Sequence, residues 1–238
     1  MPKGYLAFVL HAHLPFVRHP EYDAFLEERW LFEAITETYI PLIKFCNQCI
    51  ADAVPFQITL SVSPSLLAML EDPLLQERYR SHLDMMVELT GKEQDRLRHD
   101  GHLFWLAGVY RDLFMEARRI FDEVDGRLSI ALKRLHEAGT VELITTAATH
   151  GFLPLLAAQP KTVEAQIAIG LDYFESVFGF RPQGMWLPEC AYYPGLDQLL
   201  RNAGIRFFFV ESIAIEHASV SPLNGLHSPL YTPSGVAA

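Results

Sequence analysis

Apolar residues follow two rhythms along this chain: short unbroken runs, and longer stretches in which they recur at helical spacing. Residues 4–10 are a continuous apolar run, which predicts a strand buried on both faces, as parallel sheets require. Residues 30–50 carry the helical period, with Trp30 opening the helix and Pro41 expected to kink it. Residues 56–61 alternate weakly and end in Ser63-Pro64, a second strand feeding a helix. From 73 to 136 the pattern is helical almost throughout, with breaks expected at Gly91, Gly101 and Gly126. That is longer than one crossover needs, so about 72–138 reads as a helical insertion between strands two and three. Its Arg and Glu runs read as solvated faces. Residues 139–146 predict a third, β-branched strand, and 162–178 an amphipathic helix closed by Gly179. Residues 183–187 form a fourth short apolar run closed by Pro188, which cannot donate to a ladder. A helix over 195–203 stopped by Gly204, and a fifth strand over 205–210 ending at Glu211, complete the alternation. After Glu211 the chain carries His, Ser, Pro and Gly, and shows no helix cap, last strand or packed terminus. That predicts a chain truncated on its C-terminal side.

Strands alternating with helices argue for an α/β fold with a parallel sheet and right-handed crossovers. In such a sheet every strand ends on the same rim, and that rim carries the chemistry in barrels of this kind. Strand one ends in His11 and His13, strand three in His150, strand four in Glu189 and strand five in Glu211. His11 and His13 lie two apart in extended chain and so point the same way. Taken singly, each residue has an ordinary reading: a histidine satisfied in a core, or a glutamate capping the next turn. Gathered at strand ends they read as an active site. Trp30 is a core aromatic or a substrate platform, and Trp186 beside Glu189 has the same two readings.

Composition narrows the partners. Of 238 residues half are hydrophobic and a fifth charged, a folded composition with room for one sizeable core. A net charge of −10 argues against a broad nucleic-acid surface, which needs clustered Lys and Arg, and suits a neutral substrate. The apolar run over 5–10 is short for a signal peptide, and no stretch approaches the roughly 20 apolar residues of a membrane span. The cytoplasm is therefore the expected location. Cys46, Cys49 and Cys190 are odd in number and form no disulfide framework; Cys46-x-x-Cys49 lies in a helical pattern and reads as helix packing.

Three ordered motifs carry a family resemblance: HAHLPF at 11–16, ATHGFLPLL at 148–156 and WLPECAY at 186–192. They resemble the first three signature regions of glycoside hydrolase family 57. GYLAFVLHAHLPFVRHPE at 4–21 and ERWLFEAITETYIPL at 28–42 are similar to that family's α-1,4-glucan branching enzymes in particular. The resemblance implies an incomplete (β/α)7 TIM-like barrel, with 1–238 as the N-terminal part of the catalytic barrel and its remainder and a C-terminal helical domain absent. It implies a retaining mechanism on an α-glucan (amylose, glycogen or a starch-like polysaccharide), needing no cofactor and no metal. The Glu of the third region is the family's nucleophile, so that role falls on Glu189. His11, His13 and His150 match active-site histidines that bind sugar hydroxyls, and Trp30 matches an aromatic that contacts the glucan. The family's acid/base is an Asp in a fourth region that has no match here; Glu211 and Glu216 do not sit in that motif, so the resemblance implies that residues 1–238 carry the nucleophile without its partner and are inactive by themselves.

Other readings stay open. An α-amylase or 4-α-glucanotransferase of the same family shares these motifs. A metal-dependent deacetylase or amidohydrolase would use His11-x-His13 plus His150 as the start of a zinc site, but needs further ligands at later strand ends. The non-enzymatic reading is a glucan-binding or vestigial fragment without turnover.

Overall fold

The computed structural model describes residues 4–238, which divide into two compact units. One comprises the chain up to Pro15, Gln57–Leu67 and Val141–Ala238; the other comprises Phe16–Phe56 and Ala68–Thr140.

The first unit is built on five short parallel strands: β1 (Val9–Ala12), β2 (Ile58–Val62), β3 (Val141–Ile144), β4 (Gly184–Trp186) and β5 (Phe207–Phe209). β1 pairs with β2 and β2 with β3, in registers that set His11 opposite Ser61 and Ser61 opposite Ile144. β4 pairs with β5, and a bridge from Thr145 to Met185, with Trp186 N–H donating to Thr145 O at 2.8 Å, carries the ladder from β3 to β4. Strand order thus follows chain order. The helix Pro160–Phe178 ends at Gly179, whose φ of 80° supplies the left-handed cap. Together with the helix Leu196–Asn202 it buries Val163, Ile167, Leu171, Leu196 and Leu200 against Met185, Leu187 and Phe208.

Two expectations for this unit are corrected. The run over 4–10 is not a strand buried on both faces: pairing begins with Phe8 O and Val9, and Tyr5, Leu6, Phe8 and Leu10 are exposed. β1 has one paired neighbour, so its outer residues lack the cover an interior parallel strand receives. The stretch after Glu211 is not without packing. A short helix spans Ser212–Glu216, Ala237 pairs with Phe207 and Tyr231, and Val236 enters the core. Buried Asp197 anchors this segment by accepting from Ser234 N–H at 3.0 Å and from the Tyr192 hydroxyl at 3.1 Å. Burial would raise its pKa, but bonds from Ser234, Thr232 and Tyr192 outweigh that and hold the carboxyl at about 2.

The second unit is helical: Glu28–Ala34, Ile40–Ala51, Pro73–Arg96, Gly101–Glu123 and Leu128–Glu137. The expected kink at Pro41 takes the form of a π turn over Ile35–Tyr39, where the ladder widens just before the residue that lacks an N–H. Gly91 does not break its helix, which runs on to Arg96; the cost of about 1 kcal/mol for an interior Gly is met by the buried Leu75, Tyr79, Leu83 and Thr90. Gly101 opens the next helix behind Asp100, whose carboxylate accepts from His102 and Leu103 N–H. Cys46 and Cys49 are free thiols on Ile40–Ala51, Cys46 fully buried.

The expected solvation of the charged runs over 73–136 is corrected at Arg78, whose side chain turns inward to Glu28, a residue outside those runs. Glu28 is 1 % exposed, and Arg78, from the helix Pro73–Arg96, reaches it at 2.5 Å. Glu28 also accepts from His19 N–H at 3.1 Å, and Arg78 donates to Tyr22 O. A buried carboxylate is tolerated only when paired in this way.

Candidate active site

The three histidines and Glu189 all belong to the unit that contains the sheet, and they gather at the C-terminal ends of its strands. His11 sits within β1 and His13 just beyond it, their rings 5.9 Å apart and nearly parallel. His150 follows β3 and stacks on both, at 4.1 Å from His13 and 4.9 Å from His11. Trp186, the last residue of β4, lies flat on His11 at 4.7 Å with an interplanar angle of 7°. One indole face is thus occupied by the imidazole. Glu189 follows in a 3-10 turn, Pro188–Cys190, with its side chain 75 % exposed and Oε1 3.9 Å from His150 Nε2.

The backbone here is unusual. His150, Glu189 and Cys190 all have left-handed φ, at 55°, 55° and 50°. Each costs roughly 1–3 kcal/mol for a residue with a Cβ, and such positions concentrate where a side chain must be aimed. Pro188 begins the turn, and Cys190 N–H donates to Leu187 O at 2.8 Å to close it. The next helix, Leu196–Asn202, has Gly195 at its N-cap and no side-chain cap, so the capping reading of Glu189 has no bond behind it.

A shell of hydroxyls that sequence reasoning missed holds the imidazoles. His11 Nδ1 is 3.1 Å from Ser61 Oγ, His13 Nδ1 is 2.9 Å from Ser63 Oγ, and His150 Nδ1 is 3.0 Å from Thr146 Oγ1. Ser61, Ser63 and Thr146 are fully buried. The signal for two of them was present: His11-Ala-His13 and Ser61-Val-Ser63 end adjacent strands with the same period of two, and the register aligns them. Thr145 adds a buried bond to Val62 O at 3.1 Å that ties β2 to β3 beneath the site. Gln166 braces the loop to His150, its side chain bonding Thr149 N–H and Oγ1 at 3.0 and 2.8 Å. Gly170 lets the helix Pro160–Phe178 close on that loop, since a Cβ there would lie 2.7 Å from Thr146 O.

Burial keeps the histidines neutral. It pulls His11 down to about 3, with repulsion from His150 and His13 adding, and pulls His150 down to about 4, with His13 adding. His13 is also lowered by burial, while Glu189 opposes the shift. His11 Nε2 is buried and has no partner. A cluster of neutral imidazoles beside one exposed carboxylate suits an uncharged, hydroxyl-rich ligand. Among the described residues no three His, Cys, Asp or Glu side chains are arranged to hold a metal ion. The imidazole lone pairs lie in rings stacked side by side, and each Nδ1 already faces a hydroxyl.

Trp30 lies on the helix Glu28–Ala34 of the helical unit and is half exposed. Glu211 follows β5, its N–H donating to Cys190 O at 3.4 Å, and Glu216 ends the short helix after it.

A parallel sheet in chain order with a carboxylate and histidines on its C-terminal rim is the arrangement of a (β/α) barrel enzyme. Residues 7–237 match the profile of Glycosyl hydrolase family 57, and the chain belongs to that family. It is 35 % identical over 239 residues to a 1,4-alpha-glucan branching enzyme of Thermococcus kodakarensis, covering 94 % of this chain and 34 % of that one. Among solved structures it resembles the alpha-amylase AmyC of Thermotoga maritima, with a TM-score of 0.95, 42 % identity, and coverage of 98 % of this chain and 45 % of that one. It also resembles a family 57 branching enzyme of Pyrococcus horikoshii, with a TM-score of 0.90, 32 % identity, and coverage of 99 % and 46 %. The chain therefore spans about a third to a half of the length of these relatives. The fold is that of the family's (β/α)7 barrel, and among the described residues the barrel is open, β1 pairing with β2 alone. No helix among the described residues is long and apolar enough to cross a membrane.

Proposed function

We propose that this chain carries the nucleophile of a retaining enzyme acting on α-glucan, and that the reaction is branching. Glu189 is the nucleophile; His11, His13 and His150 bind sugar hydroxyls, and Trp30 and Trp186 contact the glucan. The observation that carries this reading is Glu189 itself: an exposed carboxylate on a strained turn, 3.9 Å from a neutral His150. Among the described residues no Lys or Arg pairs with the Glu189 carboxylate, which leaves it free to act as a nucleophile, and neutral imidazoles do not compete for its charge in an oxocarbenium-like transition state.

In this reaction a Glu189 oxygen attacks the anomeric carbon as the glycosidic C–O bond breaks, and the leaving oxygen takes a proton from an acid. A C6 hydroxyl of a second glucan then attacks the same carbon, gives up its proton to the conjugate base and releases Glu189. The acid/base is a second carboxyl group about 5–5.5 Å from the nucleophile, and neither Glu211 nor Glu216 is assigned to it. Residues 72–138 are a helical insertion in the N-terminal part of that catalytic barrel. Branching is supported by the names of the Thermococcus and Pyrococcus relatives. Hydrolysis is the second reading, favoured by the 42 % identity to an alpha-amylase.

Two assays test this. With a 5-fluoro-α-glucosyl fluoride, whose leaving group needs little acid assistance, the peptide containing Glu189 gains one glycosyl unit by mass spectrometry. Labelling of any other carboxylate sinks the nucleophile assignment. With amylose and a protein that also carries the acid/base carboxyl, new α-1,6 linkages without a matching rise in reducing ends mark branching, and the converse marks hydrolysis.

A further inference from the structure

The hydroxyl network beside His13 contains fewer hydrogens than it has possible arrangements, and this fixes the tautomer of the ring. Ser65 Oγ lies 3.2 Å from Leu14 O; a carbonyl only accepts, so the single Ser65 hydroxyl proton is committed there. Ser63 Oγ lies 3.2 Å from Ser65 Oγ, and with the Ser65 proton spent this bond is made by the Ser63 proton. Ser63 Oγ also accepts from Leu66 N–H at 3.3 Å, capping the helix that begins at Pro64. One lone pair of Ser63 then remains, and it faces His13 Nδ1 at 2.9 Å. That contact is a hydrogen bond only if Nδ1 carries the proton. The same Nδ1–H also points to Ser65 Oγ, at 3.5 Å. The opposite tautomer would have Ser63 donate to Nδ1, and would leave two oxygens, Ser63 Oγ and Ser65 Oγ, in contact with no proton between them. Rescuing that contact would strip Leu14 O of its donor.

We infer that Ser63 and Ser65 are positioning residues that lock His13 as the Nδ1–H tautomer, so that Nε2 is offered as a hydrogen-bond acceptor to a hydroxyl of a saccharide. The saccharide part rests on the function proposed above; the tautomer does not. Burial keeps the ring neutral, so the acceptor lone pair persists at neutral pH. Among the described residues His11 and His150 lack such a relay, for Ser61 and Thr146 have no second hydroxyl partner that dictates the direction of their bonds. Among these three imidazoles His13 alone has its acceptor role set by the fold.

Nitrogen-15 histidine NMR on the 238-residue chain reads this directly, with the His13 signals identified by their loss in His13→Gln. The wild-type ring is expected to show a protonated, pyrrole-like Nδ1 and an unprotonated, pyridine-like Nε2, the latter well downfield. Ser65→Ala frees the Ser63 proton to donate to Nδ1, and should shift the ring toward the Nε2–H form. Ser65→Thr keeps the hydroxyl and should restore the wild-type pattern. A merely structural role for Ser65 predicts no exchange of the two nitrogen signals. A wild-type ring protonated on Nε2, or an unchanged pattern in Ser65→Ala, overturns the inference. If Ser65→Ala does not fold, the wild-type spectrum alone still decides. Maltotriose should then move the Nε2 signal upfield as it accepts a hydroxyl. A correct tautomer with an Nε2 signal indifferent to maltotriose removes the saccharide role and leaves the relay standing.

Discussion

Oε1 of Glu189 stands 3.9 Å from Nε2 of His150, and both residues hold a backbone φ of 55°. Neither conformation is one a residue with a Cβ adopts without cost. Two elements 39 positions apart in the chain are thus both strained at the point where their side chains approach. The distance is too long for a hydrogen bond, and His150 is neutral near pH 7, so the pair leaves the carboxylate free for a ligand.

That separation bears on the first prediction. Glu189→Gln is nearly isosteric, so the turn over Pro188–Cys190 and the stacking of Trp186 on His11 should survive. An amide is a far weaker nucleophile, and the glycosyl-enzyme cannot form at a useful rate. In a protein that also carries the acid/base carboxyl, transfer on amylose should fall by at least about a thousandfold while maltotriose binding changes little. Loss of binding in step with loss of rate would show that the residue holds the ligand instead.

The hydroxyls beneath the histidines give a second prediction. His11 Nε2 is already buried without a partner, so Ser61→Ala would leave both nitrogens of that ring unsatisfied. An unmet buried polar group costs roughly 1–3 kcal/mol, and urea unfolding should show a loss of that size with an unchanged m-value. Ser61→Thr, which keeps the hydroxyl, should recover part of it. A loss confined to a few tenths of a kcal/mol would mean that water replaces the serine.

Stability should also depend on pH in a definite direction. His11 and His150 have folded pKa values lowered from 6.5 to about 3 and about 4. Between those values and 6.5 the unfolded chain binds more protons than the folded one, so stability rises with pH across that window. Thermal midpoints should therefore drop as pH falls from about 6.5 toward 4, and His150→Gln should flatten the slope. A midpoint that rises on acidification over the same range would contradict the buried neutral site.

The strand-and-helix alternation was legible because each strand is a short apolar run bounded by Gly or Pro, and Glu189 was legible because Pro188 ends its run. The tight pairing of Ser61 with His11 and Ser63 with His13 depends on register between segments 50 residues apart, which no local pattern states. The exposure of Leu6 and Phe8 was misjudged because apolar content reports what a strand would bury, and not whether a neighbour covers it. The Glu28–Arg78 pair went unseen because charge alone does not reveal burial; only the fold brings the first residue of one helix against the side chain of another. Backbone φ at His150, Glu189 and Cys190 is likewise set by surroundings, since none of the three is glycine.

The last prediction concerns a residue that touches no ligand. Gly170 lies in the middle of the helix Pro160–Phe178, where alanine would ordinarily add about 1 kcal/mol of helix propensity. Here a Cβ would stand 2.7 Å from Thr146 O and 3.2 Å from Ala148 N, both backbone atoms of the loop that leads to His150. Backbone cannot swing aside as a side chain would, so the helix must back away or the loop must move. Thr146 is also the residue whose hydroxyl holds His150 Nδ1, and Gln166, one turn earlier on the helix, braces Thr149. Displacing the helix thus disturbs both supports of the imidazole nearest Glu189. Gly170→Ala should lose roughly 1–3 kcal/mol of stability despite its helix propensity. It should also weaken transfer well beyond what the folded fraction explains. Gln166→Ala, which removes the brace and adds no bulk, should lower activity with a smaller loss of stability. Measuring both variants by urea unfolding and, in a protein that also carries the acid/base carboxyl, by amylose transfer separates the two effects. A Gly170→Ala protein as stable and as active as wild type would mean that the helix and loop are not as closely set as the 2.7 Å approach requires.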